Sequence, residues 1–314
     1  MLRFILQRIL ITIPLLFSVG VLAFLLVDLI PGSPAVVMLQ DAATPENVAI
    51  LEEQMGLNDP LPERFIRWTS GAIVGDFGNS VLIERPVTQM LLERLQPTMS
   101  IAVGGLLLGI ILGLFLGVFA GLYPGSILDR IITILTSALI GVPGFLLGII
   151  LILYFALNRG WFPVIGYSPI QDGFSAWLNT ITLPASALAI PTSALVARQM
   201  RSSMSNVLQS KYIQAARAGG IPRWRIVSRY ALRNAMIPVV TVIGFRIAVI
   251  LGSTFVIELV FNISGIGRLL VKSVLDQDVP VIQGGMVLVA FIVAISSLII
   301  DLSYAWLNPR VRLE

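Results

Sequence analysis

Cysteine and histidine are both absent from the 314-residue sequence. Without cysteine the chain has no disulfide framework and no thiolate site, and without histidine it lacks the commonest metal ligand and proton shuttle. Catalysis by Ser-His-Asp or Cys-His groups is therefore excluded. Charged residues are scarce at 12%, whereas about a quarter of a typical soluble domain is charged. Since 56% of the residues are hydrophobic, the composition indicates a polytopic membrane protein.

Motifs for nucleotide binding and ion coupling are also missing from the sequence. No GxxxxGK[ST] motif occurs, so the chain does not itself cradle nucleotide phosphates. The Asp/Glu pair expected of a proton- or sodium-coupled carrier is absent from the apolar runs. A secondary carrier or channel for small solutes is the alternative function, and an intramembrane enzyme would need a catalytic cluster that the sequence does not supply. We expect no catalytic residues, no metal, no cofactor and no nucleic-acid partner.

Six apolar runs are long enough to form helices across a bilayer, whose hydrocarbon core is about 30 Å thick. The first exceeds the apolar core of a cleaved signal peptide, which is about 7–15 residues, so we expect an uncleaved first span. The predicted all-α fold thus has six transmembrane helices, at Ile9–Val27, Ser100–Leu122, Ile131–Asn158, Gly173–Ala197, Pro238–Phe261 and Val279–Ile300.

The distribution of charge predicts the orientation of the chain. With the N-terminus inside, thirteen of the 21 Lys and Arg residues lie on the inner side, seven lie outside, and Arg246 lies within a span. This excess follows the positive-inside rule, so both termini are predicted to be cytosolic.

The sequence divides into three parts by composition. Residues 1–30 form the N-terminal transmembrane helix, 31–95 an extracytoplasmic region, and 96–308 a transmembrane domain of five helices that contains a cytosolic loop at 198–236. Residues 31–95 carry most of the acidic residues and predict two helices, one starting at Thr44-Pro45-Glu46 and ending near Gly56. This region is either a landing surface for a solute-binding protein or a cap over the span ends.

Glycine and proline mark two of the predicted spans. Glycines recur every four residues from Gly105 to Gly121, a spacing that favours close helix packing over the alternative of a ligand groove. Pro143 lies inside the third run, where proline kinks a helix.

The most basic stretch is Lys211–Pro238, and the wider window 198–233 holds eight basic residues and no acidic residue. Helix formers precede Gly219-Gly220, which supplies a break, and Pro222 suits the first turn of a second helix. The spacing predicts two short helices joined by a tight elbow. In the second, Arg225, Arg229 and Arg233 form a cationic face and Trp224, Val227 and Ala231 an apolar one. The alternative is a basic helix that rests on anionic lipid headgroups.

The run Gln214-Ala215-Ala216, followed by Gly220, resembles the EAA loop of ABC importer permeases, the segment that docks into the ATPase subunit. The texts YIQAARAGG, ALRNAMIP, GLNDPLPERFIRW, IELVFNISGIGRLL and DLSYAWLNPRVR resemble the dipeptide/oligopeptide/nickel branch of that family. Gln214 replaces the usual Glu, and Tyr230 replaces a common His. The resemblance implies a type I ABC importer permease fold. It also implies a set of ATPase-coupling residues, namely Gln214, Ala215, Ala216, Gly220, Trp224, Arg225 and Arg229.

The same resemblance implies partners and a location. These are a second homologous permease subunit, two ATP-binding subunits and an extracytoplasmic solute-binding protein, assembled in the lipid bilayer of a bacterial inner membrane. ATP hydrolysis belongs to the partner subunits, so the chain itself is not an enzyme. Peptides are the cargo implied by the resemblance, with nickel chelates and glutathione as alternatives.

Arg246 is an exception to the uncharged spans, since it lies about 12 Å along the helix from Pro238. A charge at that depth should face a cavity or a partner and not lipid. We expect Arg246 to line the translocation path or to pair across a dimer seam; snorkelling towards the inner surface is the alternative.

Overall fold

The computed structural model describes residues 2–29, 33–39, 42–54 and 56–307, with side chains at 10–25, 33, 35–39, 42–53 and 56–300. These residues are helical apart from turns, loops and one isolated bridge between Asn79 and Pro86, so the expected all-α class is confirmed. The α-helices are α1 Leu2–Leu29, α2 Pro34–Leu39, α3 Pro45–Gln54, α4 Leu61–Ile73, α5 Val87–Leu122, α6 Ile127–Ile140, α7 Gly144–Asn158, α8 Phe174–Leu208, α9 Lys211–Ala218, α10 Arg223–Val260, α11 Ile266–Leu275 and α12 Val279–Leu307.

Four of the described helices are long and apolar enough to cross a membrane: α5, α8, α10 and α12. Helices α6 and α7 together meet the same test but are bent by 104° at their junction, so they form either a broken span or a re-entrant loop. The predicted kink at Pro143 is therefore a sharp break, and Pro143 is the N-cap residue of α7. In α1 the part with described side chains, Leu10–Leu25, is an apolar segment.

Predicted boundaries differ from the observed helix ends at several places. Helix α5 begins at Val87, so it runs through the predicted boundary between residues 95 and 96. Helix α8 similarly continues past residue 198 to Leu208. The predicted start of the extracytoplasmic region at Pro31 and the chain end after Leu307 lie outside the described residues.

The described chain forms two compact units. Among the described residues, one unit comprises 2–5, 97–263 and 295–307; the other comprises those within 6–96 and 264–294. In the first unit α8 is the most deeply buried of the candidate spans and packs against α6, α7 and α10. Its buried Thr192 donates its hydroxyl proton to the carbonyl of Leu188 at 2.8 Å, so its polar group is satisfied within the helix.

The glycine stripe of α5 lies against α8. A Cβ atom built on Gly109, Gly113 or Gly117 would approach the Cβ atoms of Thr192, Val196 and Met200, respectively, at 2.6–2.8 Å. Only glycine permits this separation between the two backbones. The interpretation of the stripe as a packing surface is confirmed.

In the second unit, α1 and α4 share an aromatic cluster. The ring centroids of Phe24 and Phe65 are 5.3 Å apart, and those of Phe24 and Trp68 are 5.9 Å apart.

The predicted helix at 45–56 is also present, as α3, and ends before Gly56, whose φ of +64° breaks the helix. Later in the same unit the buried carboxylate of Asp278 accepts hydrogen bonds from the Ser80 hydroxyl and the Val81 N–H, which fixes the loop before α5.

Candidate functional site: the basic elbow

We define the basic elbow as residues Lys211–Arg233, which comprise α9, the turn after it and the start of α10. The turn closes α9 with two hydrogen bonds, from Gly220 N–H to the Arg217 carbonyl at 3.0 Å and from Ile221 N–H to the Ala216 carbonyl at 3.1 Å. This is the Schellman pattern, which needs a left-handed residue at Gly220, and Gly220 has a φ of +75°. The predicted glycine break is thereby confirmed and assigned to Gly220.

The second helix of the elbow is not short. Pro222 lies at its N-cap and the helix then runs without interruption from Arg223 to Val260. The predicted second short helix and the predicted fifth span, which was placed from Pro238, are therefore one element. Pro238 lies within this helix and does not start it. The elbow and a candidate span therefore share one continuous helix.

A π-type stretch over Ile226–Ala231 sets which face of α10 is buried. Because a π-type turn spaces neighbours on one face by about five residues, Ile226 and Ala231 are both buried. The α-helical spacing of four then continues the buried face through Ala235 and Val239. The predicted apolar face is wrong at Trp224, whose side chain is 67% exposed, because the prediction assumed α-helical periodicity throughout.

The elbow is anchored to the long helices by an apolar cluster. Fully buried Ile213 of α9 packs in one cluster with Met200 and Met204 of α8 and Ile226 of α10. The Asn234 side chain also donates a hydrogen bond to the Tyr212 hydroxyl at 3.0 Å, which links α9 to α10. Sequence reasoning missed these anchors, although Ile213 is the one apolar aliphatic β-branched residue in α9.

The predicted coupling residues lie mainly on the exposed side of this anchored elbow. Ala216 is half-buried, whereas the others are exposed: Gln214, Ala215, Gly220, Trp224, Arg225 and Arg229. The Gln214 side chain donates to the Gln209 carbonyl at 3.1 Å. The Arg225 guanidinium lies 5.2 Å from the ring centroid of Trp224, so the two side chains form a cation–π pair at the surface. The elbow can therefore present a cationic and aromatic surface to a partner.

A cavity of about 680 Å³ lies behind the elbow, lined by residues from the α5–α6 turn, α8 and α10. Arg223 borders it and lies 5.1 Å from the ring centroid of Tyr123. Its guanidinium also donates to the Leu122 carbonyl at 3.5 Å. The start of α10 is in this way attached to the end of α5.

An ion pair that sequence reasoning did not find fixes α6 to α8. The Asp129 carboxylate, whose side chain is 3% exposed, accepts two hydrogen bonds from the Arg201 guanidinium, of which the Nη2 bond is 2.8 Å long. Asp129 is the only acidic residue between Glu93 and Asp172, and that isolation was the signal that could have identified it.

Glu258 is a further buried carboxylate, near the end of the predicted span Pro238–Phe261. Its side chain is fully buried and accepts a hydrogen bond from Thr98 Oγ1 at 2.6 Å. This contact joins α10 to α5 and gives the Glu258 carboxylate a structural role.

Arg246 lies on α10 with a half-buried side chain. One guanidinium nitrogen, Nη2, donates to Thr192 Oγ1 of α8 at 3.0 Å. Nε is buried and has no hydrogen-bond partner among the described residues. Arg246 is on a different part of α10 from the elbow, so the predicted path residue and the predicted coupling residues are two separate sites.

The described residues form several apolar helices and a helical elbow that continues into one of them, which is the architecture of a multi-pass membrane protein. Two family models match the sequence. Residues 99–313 match the binding-protein-dependent transport system inner membrane component, and residues 1–102 match its N-terminal membrane component. The chain belongs to the family of binding-protein-dependent transport system inner membrane components.

Individual relatives match over the whole chain. It is 39% identical to a Sinorhizobium fredii protein named "Probable peptide ABC transporter permease protein y4tP", over 98% of this chain and 99% of that one. It is 36% identical to the glutathione transport system permease protein GsiC of Escherichia coli K12, over 99% of both chains. The chain is accordingly an ABC transporter permease subunit.

Solved structures share the fold. A chain of the inward-facing MetNI methionine ABC transporter aligns with a TM-score of 0.56 at 18% identity, covering 70% of this chain and 97% of that chain. A chain of an amino acid ABC transporter solved with histidines aligns with a TM-score of 0.51, covering 71% and 94%. At this identity the likeness concerns the fold alone.

Proposed function

We propose that this chain is the permease subunit of an ATP-driven importer of peptide-like solutes, and that the basic elbow receives mechanical work from an ATPase subunit. The observation that carries the proposal is the continuity of the elbow with α10. An exposed surface held by the buried Ile213 and Ile226 is joined without a break to a candidate span. Movement of the elbow would therefore tilt that span instead of being absorbed by a loop.

The proposed assembly contains four kinds of subunit: this chain, a second homologous permease, two ATP-binding subunits that hydrolyse ATP, and an extracytoplasmic solute-binding protein. The exposed Gln214, Ala215, Arg225 and Arg229 form the docking surface for the ATPase, with Trp224 and Gly220 shaping it. The lack of a nucleotide-binding motif fits this division of labour, since the energy then enters through a protein–protein contact.

The solute class follows from the relatives. One of them is named a peptide permease and another a glutathione permease, and glutathione is itself a small peptide. Small peptides, including tripeptides of the glutathione kind, are thus the proposed cargo, delivered by the binding protein.

The proposed topology has six spans, with both termini in the cytosol of a bacterium and the protein in its inner membrane. Residues 1–30 form the first span, 31–95 lie outside the cytosol, and 96–308 form the core domain with the coupling segment 198–236. Arg246 lines the translocation path. The excess of Lys and Arg on the assigned inner side supports this orientation.

Co-purification with the ATPase subunits tests the docking role of the elbow. An added Cβ at Gly220 meets no atom within 4 Å, so Gly220→Trp would strain the left-handed turn and cover the docking surface without a steric clash behind it. We expect at least a tenfold loss of bound ATPase, measured by pull-down from membranes.

Gly160→Trp is the matched control for this experiment. Gly160 has a φ of +64° and equally open surroundings, but it lies in the loop between α7 and α8, which we assign to the outer side. A complex that retains its ATPase with Gly220→Trp, or that loses it equally with Gly160→Trp, would overturn the docking role.

A further inference from the structure

The guanidinium of Arg246 has fewer hydrogen bonds than its chemistry requires. It has five N–H donors, and among the residues with described side chains the structure pairs it with one acceptor, Thr192 Oγ1. The buried Nε has no acceptor among the described residues. A buried N–H without an acceptor is costly, so Nε is the unsatisfied donor here, while the half-exposed remainder of the guanidinium is accessible to an anion.

The position of Arg246 in α10 excludes the nearest charges of this helix as partners. Along the helix it lies about 20 Å from Arg233 and about 18 Å from Glu258. The Asp129 carboxylate is already paired with Arg201. Arg246 is thus near the middle of a candidate span, far from both ends, where an ionisable residue marks a solute or ion pathway.

The contact with Thr192 holds the guanidinium in one place. Thr192 is fully buried on α8, and its Cβ atom lies 2.8 Å from a Cβ built on Gly109 of α5. Helices α5, α8 and α10 therefore meet at this level, and the Thr192 hydroxyl also donates to its own helix at Leu188. A guanidinium fixed in this way is prepared to bind a planar anion with two parallel N–H···O bonds.

We infer that Arg246 binds the terminal carboxylate of the transported peptide during its passage through the permease. The inference rests on the proposed peptide-import function. A peptide carries one such carboxylate whatever its side chains, so a single fixed guanidinium can recognise the whole class without selecting a sequence. A lipid phosphate is disfavoured as the acceptor because of the distance of Arg246 from either end of its helix.

A double-mutant cycle between Arg246 and the carboxylate tests the inference. The complete transporter is reconstituted in vesicles with its binding protein, and uptake is measured for alanine peptides in free-acid and C-terminal amide forms, both first shown to bind the isolated binding protein. Because the binding protein is the same for every variant, its own preference cancels in the comparison. Arg246→Gln should lower uptake of the acid about tenfold or more and that of the amide about twofold or less.

Three variants serve as controls. Arg246→Lys keeps the charge but not the planar fork, so it should retain part of the preference for the acid. Arg233→Gln removes an exposed arginine from the same helix and should change the uptake of acid and amide in equal proportion. Asp301→Asn is included because the Asp301 side chain lies outside the described residues; it too should affect both peptides equally.

The outcomes separate the inference from the function on which it rests. If Arg246→Gln lowers acid and amide uptake equally, or lowers neither, Arg246 has a structural role or pairs with the second permease, and the inference is overturned while peptide import stands. If the wild-type complex takes up neither peptide in the presence of ATP, the proposed function fails first.

Discussion

At the scale of single residues, the close approach of α5 to α8 depends on the glycines of α5, which have no Cβ atom. A Cβ on Gly113 would lie 2.6 Å from Val196 Cβ and 2.8 Å from the Ser193 carbonyl oxygen. A backbone carbonyl cannot rotate away as the end of a flexible side chain can. Gly113→Ala should therefore lower the stability of the folded protein by about 1–3 kcal/mol, measured as a lower midpoint of thermal unfolding in detergent.

Gly104→Ala is the control on the same helix. A Cβ there would meet Ala185 Cβ at 3.4 Å and Ile181 Cδ1 at 3.6 Å, which are ordinary contacts. Since alanine is the better helix former, Gly104→Ala should leave the midpoint unchanged or raise it slightly. Equal effects of Gly104→Ala and Gly113→Ala would contradict the packing role of the stripe.

Residue-level predictions succeeded where the local pattern alone decides the outcome. The glycine of the elbow could be predicted because a break between two helix-forming segments needs a residue that tolerates positive φ. Gly220 adopts such a positive φ. Trp224 could not be placed, because the register of its face depends on the π-type stretch at Ile226–Ala231. Nor could the Asp129–Arg201 pair be found, since it joins residues on separate helices.

At the scale of elements, the bent pair α6 and α7 decides the topology. A bend of 104° leaves two possibilities, a broken span that crosses the membrane and a re-entrant loop that returns to the same side. Only a crossing gives six spans with both termini inside. We expect Pro124, which precedes the pair, and Asn158, which is its last residue, to be on opposite sides of the membrane.

Single introduced cysteines test this expectation, and no native cysteine has to be removed first because the chain has none. In intact cells an impermeant maleimide should label Asn158→Cys but not Pro124→Cys. Lys211→Cys, on the elbow, is the reference for the inner side and should be labelled only after lysis. Labelling of Pro124→Cys and Asn158→Cys from one side would indicate a re-entrant loop and remove the six-span topology.

The boundaries of the helices were harder to predict than the presence of the helices. Hydropathy identifies the apolar part of a helix but not its polar extensions, so the predicted Ser100–Leu122 span is the inner part of the longer α5. The same limit separated the elbow from the fifth span, which form one helix from Arg223 to Val260. Helix ends are set by capping and by neighbouring helices, and neither is visible in composition.

At the scale of the whole molecule, transport against a gradient should require the partner subunits. The sequence has neither a nucleotide-binding motif nor an Asp/Glu pair within an apolar run to couple transport to an ion gradient. Vesicles that contain this chain alone should therefore equilibrate solute at most, as measured with labelled dipeptide. Addition of the second permease, the ATPases and the binding protein should produce ATP-dependent accumulation.

Accumulation by the chain alone under an imposed proton or sodium gradient would instead identify a secondary carrier. The matched control is the complete assembly supplied with a non-hydrolysable nucleotide, which should accumulate no solute. These measurements concern the energy source and are independent of the identity of the cargo.

The sequence by itself determined the class of the protein, because apolar runs, missing histidine and cysteine, and one acid-free basic stretch are properties of composition and order along the chain. It also determined the left-handed turn at Gly220, which is a local property of the backbone. Only the tertiary structure decided that the elbow rests on Ile213 and Ile226, that α10 continues the elbow into a span, and that Arg246 meets Thr192. These depend on contacts between residues far apart in the chain, and no local pattern specifies which distant side chain will occupy the other side of a contact.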